Sequence, residues 1–72
     1  MIQSILFDKN FWTIKQAIMW LESNGYVHKK VHETDKFYRF RQLSPSYDTY
    51  RYITKKIPNH IELIVGYPIN EF

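Results

Sequence analysis

Seventy-two residues make one small domain, residues 1–72, and a chain this short buries only about 60% of the surface its unfolded form exposes, so its core must be dense. The composition supplies that density with 44% apolar and 18% aromatic residues, and the lack of cysteine excludes disulfide staples, thiolate metal sites and cysteine nucleophiles. The net charge is +3 but unevenly placed: residues 28–56 hold eight of the ten basic side chains against Glu33, Asp35 and Asp48, a net of +5, while the remainder is acidic at −2.

Gln3 to Phe7 has the length and residue types of an opening strand, followed by the polar break Asp8-Lys9-Asn10. A helix follows. Thr13 is placed to cap it and Gln16, three residues on, to complete a capping box. Ile14, Ala17, Ile18 and Leu21 follow the spacing of a buried face, and Asn24-Gly25 ends the helix. Trp12 and Trp20 flank that face and read as core packing rather than stacking platforms.

Beyond Gly25 the apolar period changes to two. Tyr26 to Val31 reads as a strand with its turn at Glu33-Thr34-Asp35, and Lys36 to Gln42 as the clearest strand of all. In the latter, Tyr38, Phe40 and Gln42 point one way and Phe37, Arg39 and Arg41 the other. Pro45 marks a turn, Tyr50 to Ile57 alternates again, Pro58-Asn59 turns, and His60 to Gly66 is a last strand with Ile61, Leu63 and Val65 on its buried side. Tyr67 to Phe72 carries no decisive pattern.

The order of the main elements is β-α-β-β-β, and the expected architecture is α+β, one helix packed on a mostly antiparallel sheet. The helix covers Tyr38, Phe40, Ile61, Leu63 and Val65. The opposite face is then expected to carry Phe37, Arg39, Arg41, Arg51, Ile53, Lys55 and Ile64, half basic and half apolar, with nothing left in the chain to cover it.

That open face is where a partner is expected. The segment Phe37-Tyr38-Arg39-Phe40-Arg41 interleaves rings and guanidinium groups, a pairing suited to phosphate neutralisation and base stacking. Arg39 and Arg41 lie about 7 Å apart along the strand, close to the spacing of successive phosphates. Arg39, Arg41, Arg51 and Lys55 are the residues expected to touch nucleic acid. Two other readings stand beside this one. The same side chains pair across strands with Glu62 or Asp48 as ordinary solvent-facing residues. Alternatively, Phe37, Ile53 and Ile64 form an apolar patch through which a protein-interaction or structural module binds another protein or a second copy of itself.

Catalysis is not expected: no nucleophile has a base at a recognisable spacing, and with Gly25 and Gly66 alone no glycine-rich phosphate loop can form. Nor is a cofactor or metal, since His28 and His32 on one strand stand about 13 Å apart. Apolar runs too short to cross a bilayer and the lack of a signal-like N-terminus argue against a membrane partner or secretion.

Ile5-Leu6-Phe7, Trp12-Thr13, Trp20-Leu21 and Gly25, followed by Val31, Thr34, Tyr38-Arg39-Phe40-Arg41-Gln42, Pro45, Thr54-Lys55-Lys56 and Gly66, resemble a small uncharacterised domain of giant DNA viruses of the Marseillevirus and Mimivirus kind. The domain also occurs in phage and prophage proteins. The resemblance covers roughly residues 4–66 and departs at Pro58-Asn59-His60, where a glycine is expected. It implies a viral protein, packaged in virions or acting in the host cytoplasm or nucleus, with nucleic acid, virion components or host proteins as partners. It assigns no residue a role.

Overall fold

The computed structural model describes residues 1–69. Six elements follow in chain order: β1 (Ile2–Asp8), α1 (Ile14–Ser23), β2 (His32–Glu33), β3 (Phe37–Arg41), β4 (Tyr50–Ile57) and β5 (Ile61–Pro68). All pairings are antiparallel, and the sheet order is β2-β3-β1-β5-β4. The expected α+β class, one helix on an antiparallel sheet, is what the chain adopts. The sheet has five strands, with β1 at its centre.

The position of β1 explains its residues. This strand has neighbours on both edges, whose side chains flank its own, and Gln3 through Phe7 are all buried. Ile5 and Phe7 enter the core under α1 together with Ala17, Leu21, Phe40 and Ile61. Phe7 is the hub. Its ring meets Trp12, Trp20 and Phe40 edge-on at centroid distances of 4.9, 5.6 and 5.7 Å, the geometry that aromatic quadrupoles favour. Both tryptophans pack against the core as expected, and Trp12 also donates its indole N–H to the Asn59 carbonyl at 2.7 Å. Ile14, in contrast, is 38% exposed; the helix packs through Ala17, Ile18, Trp20 and Leu21, and Trp12, ahead of the cap, packs on the core as well.

The capping box forms as the sequence implies. Gln16 donates its backbone N–H to the Thr13 hydroxyl at 3.1 Å, and Thr13 donates its own to the Gln16 side-chain oxygen at 3.0 Å. Gly25 ends the helix at φ +76°, a conformation that its missing Cβ allows. Thr13→Ala is therefore expected to cost about 1 kcal/mol and to lower the melting temperature by about 4–8 °C, checked by thermal denaturation followed by circular dichroism.

The strand expected at Tyr26–Val31 is not there. Tyr26 stacks on Trp20 at 5.8 Å, and its N–H donates to the Leu21 carbonyl, continuing the helix ending. Val27 then bonds to a side chain instead of a strand: its N–H donates to the Gln42 side-chain oxygen and its carbonyl accepts from the Gln42 amide, both at 2.8 Å. One glutamine amide replaces a strand's ladder and directs the chain along the sheet border. Pairing starts only at His32 and Glu33, opposite Arg39 and Tyr38. Lys9, which pairs with Glu33 and also donates to the Thr34 carbonyl, ties this border to the sheet. The Glu33 carboxylate accepting that bond raises the Lys9 ammonium pKa above the ordinary lysine value.

The turn between β4 and β5 lacks the expected glycine, and Asn59 and His60 take left-handed backbone angles of φ 70° and 61°. The Phe11 ring stacks on His60 with centroids 3.5 Å apart, and Asp8 donates its N–H to the His60 carbonyl at 3.1 Å. These contacts, with the Trp12 bond, hold the strained turn.

A candidate phosphate-binding interface on the open sheet face

Cross-strand partners share a face of the sheet, so the registers fix what the open face carries. Ile5 pairs with Phe40 and Leu63, and Phe7 with Tyr38 and Ile61, all on the helix side. The alternate residues look away: Ser4 lies between Arg41 and Ile64, Leu6 between Arg39 and Glu62, and Asp8 beside Phe37. Arg39 and Arg41 are therefore on the open face, as their alternation with Phe40 implies.

Arg51 and Lys55 are not. Ile57 pairs with Ile61, Lys55 with Leu63, Ile53 with Val65 and Arg51 with Tyr67, which places Arg51, Ile53 and Lys55 on the helix side of the sheet. The open face of β4 carries Tyr52, Thr54 and Lys56 instead. The expected four-residue site thus divides in two. The expected apolar patch divides with it, since Ile53 is on the other side from Phe37 and Ile64, both of which are half-buried. The reason is local. Tyr50, Tyr52, Ile53 and Ile57 give both faces of this strand apolar character, so its composition does not choose between them. The choice is made by the hairpin, which pairs Ile57 with the buried Ile61.

Two side chains absent from the expected site complete it. β2 brings His32 opposite Arg39 on the same face, and Lys30 and Val31 precede it. Lys30, Val31, His32, Arg39 and Arg41 line one cavity of about 150 Å³. Its cations have no acidic partner: among the described residues the sole ion pair is Lys9–Glu33, and Glu33 is on the helix side, opposite Tyr38. Arg39 is anchored at 3.3 Å by the side-chain oxygen of Gln3, which also accepts from Ser4 Oγ at 2.7 Å. Gln3 occupies the point where the β1–β5 register shifts, between Ile2 and Ser4, and it donates to the Leu43 carbonyl at 2.8 Å. A neutral amide thus orients the guanidinium group and leaves its charge uncompensated. Lys30 and His32 lay in view within the basic stretch; what links them to Arg39 is the two-residue β2, too short to leave an alternation pattern.

A second cavity of about 390 Å³ lies at the β4–β5 turn, lined by Asp8, Lys56, Asn59, His60 and Glu62 among others. Its charge is mixed, with Lys56 directly opposite Glu62, so it lacks the single sign that would concentrate an anion. Among the described residues no cluster of three or more His, Asp or Glu side chains could hold a metal ion, and no helix is long and apolar enough to cross a membrane.

Comparison of this chain with protein-family models, curated proteins and solved structures finds no match.

Proposed function

We propose that the protein binds nucleic acid through its phosphate backbone, with Lys30, His32, Arg39 and Arg41 as the contact surface on the open sheet face. The observation that carries this reading is the set of three cations, Lys30, Arg39 and Arg41, around one cavity with no ion pair to a carboxylate among the described residues. Such a cluster suits phosphate, to which a guanidinium group can give two parallel hydrogen bonds. Arg39 comes prepared, because Gln3 holds it in place before any ligand arrives. Arg51 and Lys55, on the other side of the sheet, take no direct part. A viral setting, in which such a protein meets viral or host nucleic acid, is part of the same proposal.

The test is fluorescence anisotropy with labelled single-stranded and duplex oligonucleotides over a salt series. Three phosphate contacts on a single strand give a slope of about −2 for log affinity against log salt, which is about a 20-fold loss between about 50 and 200 mM. Affinity that stays flat over that range contradicts the proposal.

A further inference from the structure

Arg51 and Lys55 need an account of their own, and so does the strand that carries them. β4 is at the outer edge of the sheet, eight residues long, with no strand beyond it among the described residues. Its outward N–H and C=O groups are a template for a further strand. Natural edge strands are blunted by shortness, bulges, proline or charge, and β4 carries only the last: its register with β5 runs unbroken from Tyr50 to Ile57, and Arg51, Lys55 and Lys56 repel another basic strand while leaving an acidic one admissible. On its helix side stand Arg51, Ile53 and Lys55, all exposed, beyond the area that the core cluster under α1 covers. Lys56 adds a third cation on the open side, and the strand contains no acid.

We infer that the β4 edge is a docking site for an extended acidic segment of another protein, added to the sheet as a sixth strand. The backbone ladder selects the class of partner. Alternating donors and acceptors at strand spacing are matched by a polypeptide and by no nucleic acid. The charges select its composition. A second copy of this chain is disfavoured, because two β4 strands laid side by side set Arg51, Lys55 and Lys56 of one against the same set on the other. The side-chain pattern selects spacing as well: Arg51, Ile53 and Lys55 share one face, so the matching segment reads acid-x-apolar-x-acid, its carboxylates about 13 Å apart. This surface is distinct from the phosphate-binding face, and each can fail without the other.

The test is an NMR titration of the ¹⁵N-labelled protein with a capped peptide Thr-Glu-Thr-Val-Thr-Glu-Thr, carried to a few millimolar. Saturable shifts of the Tyr50–Ile57 amides are expected. With R51E/K55E affinity falls by about tenfold or more, and the charge-swapped peptide Thr-Lys-Thr-Val-Thr-Lys-Thr restores binding to that variant alone. Both substitutions are at exposed positions, and the variant's own spectrum reports its fold; should it not fold, K55E with the same two peptides serves instead. Absence of β4 shifts with the wild-type protein overturns the inference. So do equal binding of a peptide with its two glutamates adjacent, shifts centred on Arg39 and Arg41, and concentration-dependent β4 shifts without peptide, the last of which would make the occupant a second copy.

Discussion

Reversing charge at Arg39 and Arg41 together (R39E/R41E) is expected to weaken nucleic-acid binding by at least about 100-fold at low salt, whereas the same reversal at Arg51 and Lys55 (R51E/K55E) changes it by less than about tenfold. The contrast follows from placement rather than from charge. Both pairs are two residues or four apart on a strand, and both are basic, but Arg39 and Arg41 line the cavity with Lys30 while Arg51 and Lys55 are on the other side of the sheet. R39E/R41E removes two of three phosphate contacts and replaces them with two repulsions, each worth about 1 kcal/mol or more once partly desolvated. Anisotropy titrations of the two double variants in parallel give the ratio directly. Equal losses would mean that affinity follows net charge alone and that the cavity has no special role. Gln3→Ala is a milder companion: it frees Arg39 without removing it, and its effect bears on affinity through orientation.

The second large effect is on stability. Phe7→Ala is expected to cost about 3–5 kcal/mol and to lower the melting temperature by at least about 12 °C, measured by calorimetry or by urea denaturation. Phe7 is fully buried and its ring contacts three other aromatic rings, from β3, from the helix and from the residue before the Thr13 cap. Removing it opens a cavity at the one point where helix, central strand and β3 meet. A domain of this size has a total stability of only about 4–11 kcal/mol, so the variant stands near the folding threshold. Phe7→Leu keeps most of the volume and loses the ring contacts, and is expected to cost less than half as much. A loss below about 1 kcal/mol for Phe7→Ala would show that the core has another centre.

Much of this fold is legible in the sequence because each local signal has one physical meaning. Thr13 and Gln16 at capping-box spacing, Gly25 after the last helical turn, and the alternation around Phe40 leave little choice, and the helix, β3 and the span of β4 come out as the residues imply. The strand reading of Tyr26–Val31 fails because apolar alternation there serves another purpose: Tyr26 packs on Trp20, and Val27 bonds to a glutamine amide distant in sequence. Side-chain mimicry of a strand ladder has no local signature. The face of β4 is a different matter. Pairing across the Pro58-Asn59-His60 turn sets Ile57 against Ile61, and once Ile61 is taken as buried, the same parity carries Arg51, Ile53 and Lys55 to its side. That information was in the chain, but it resides in the turn and not in the strand. Of the candidate site, Arg39 and Arg41 could be read from alternation alone, whereas Lys30, His32 and Gln3 join them only through tertiary placement.

The distribution of charge over the sheet follows from the same geometry. The open face has a basic end at β2 and β3 and a mixed end at Asp8, Lys56 and Glu62, with Leu6 between Arg39 and Glu62. Under the proposed function, a polyanion would be drawn to the first end and turned from the second, which would set a preferred direction on a surface that composition describes only as basic.

Whether phosphate is held at the β2–β3 end of the open face is decided by mapping amide shifts of the ¹⁵N-labelled protein during titration with a short oligonucleotide. The largest shifts are expected at Lys30, His32, Arg39 and Arg41, with β4 residues Arg51 and Lys55 little changed. Shifts concentrated on β4 or on the exposed face of the helix around Lys15, with the cavity residues silent, would contradict the proposal.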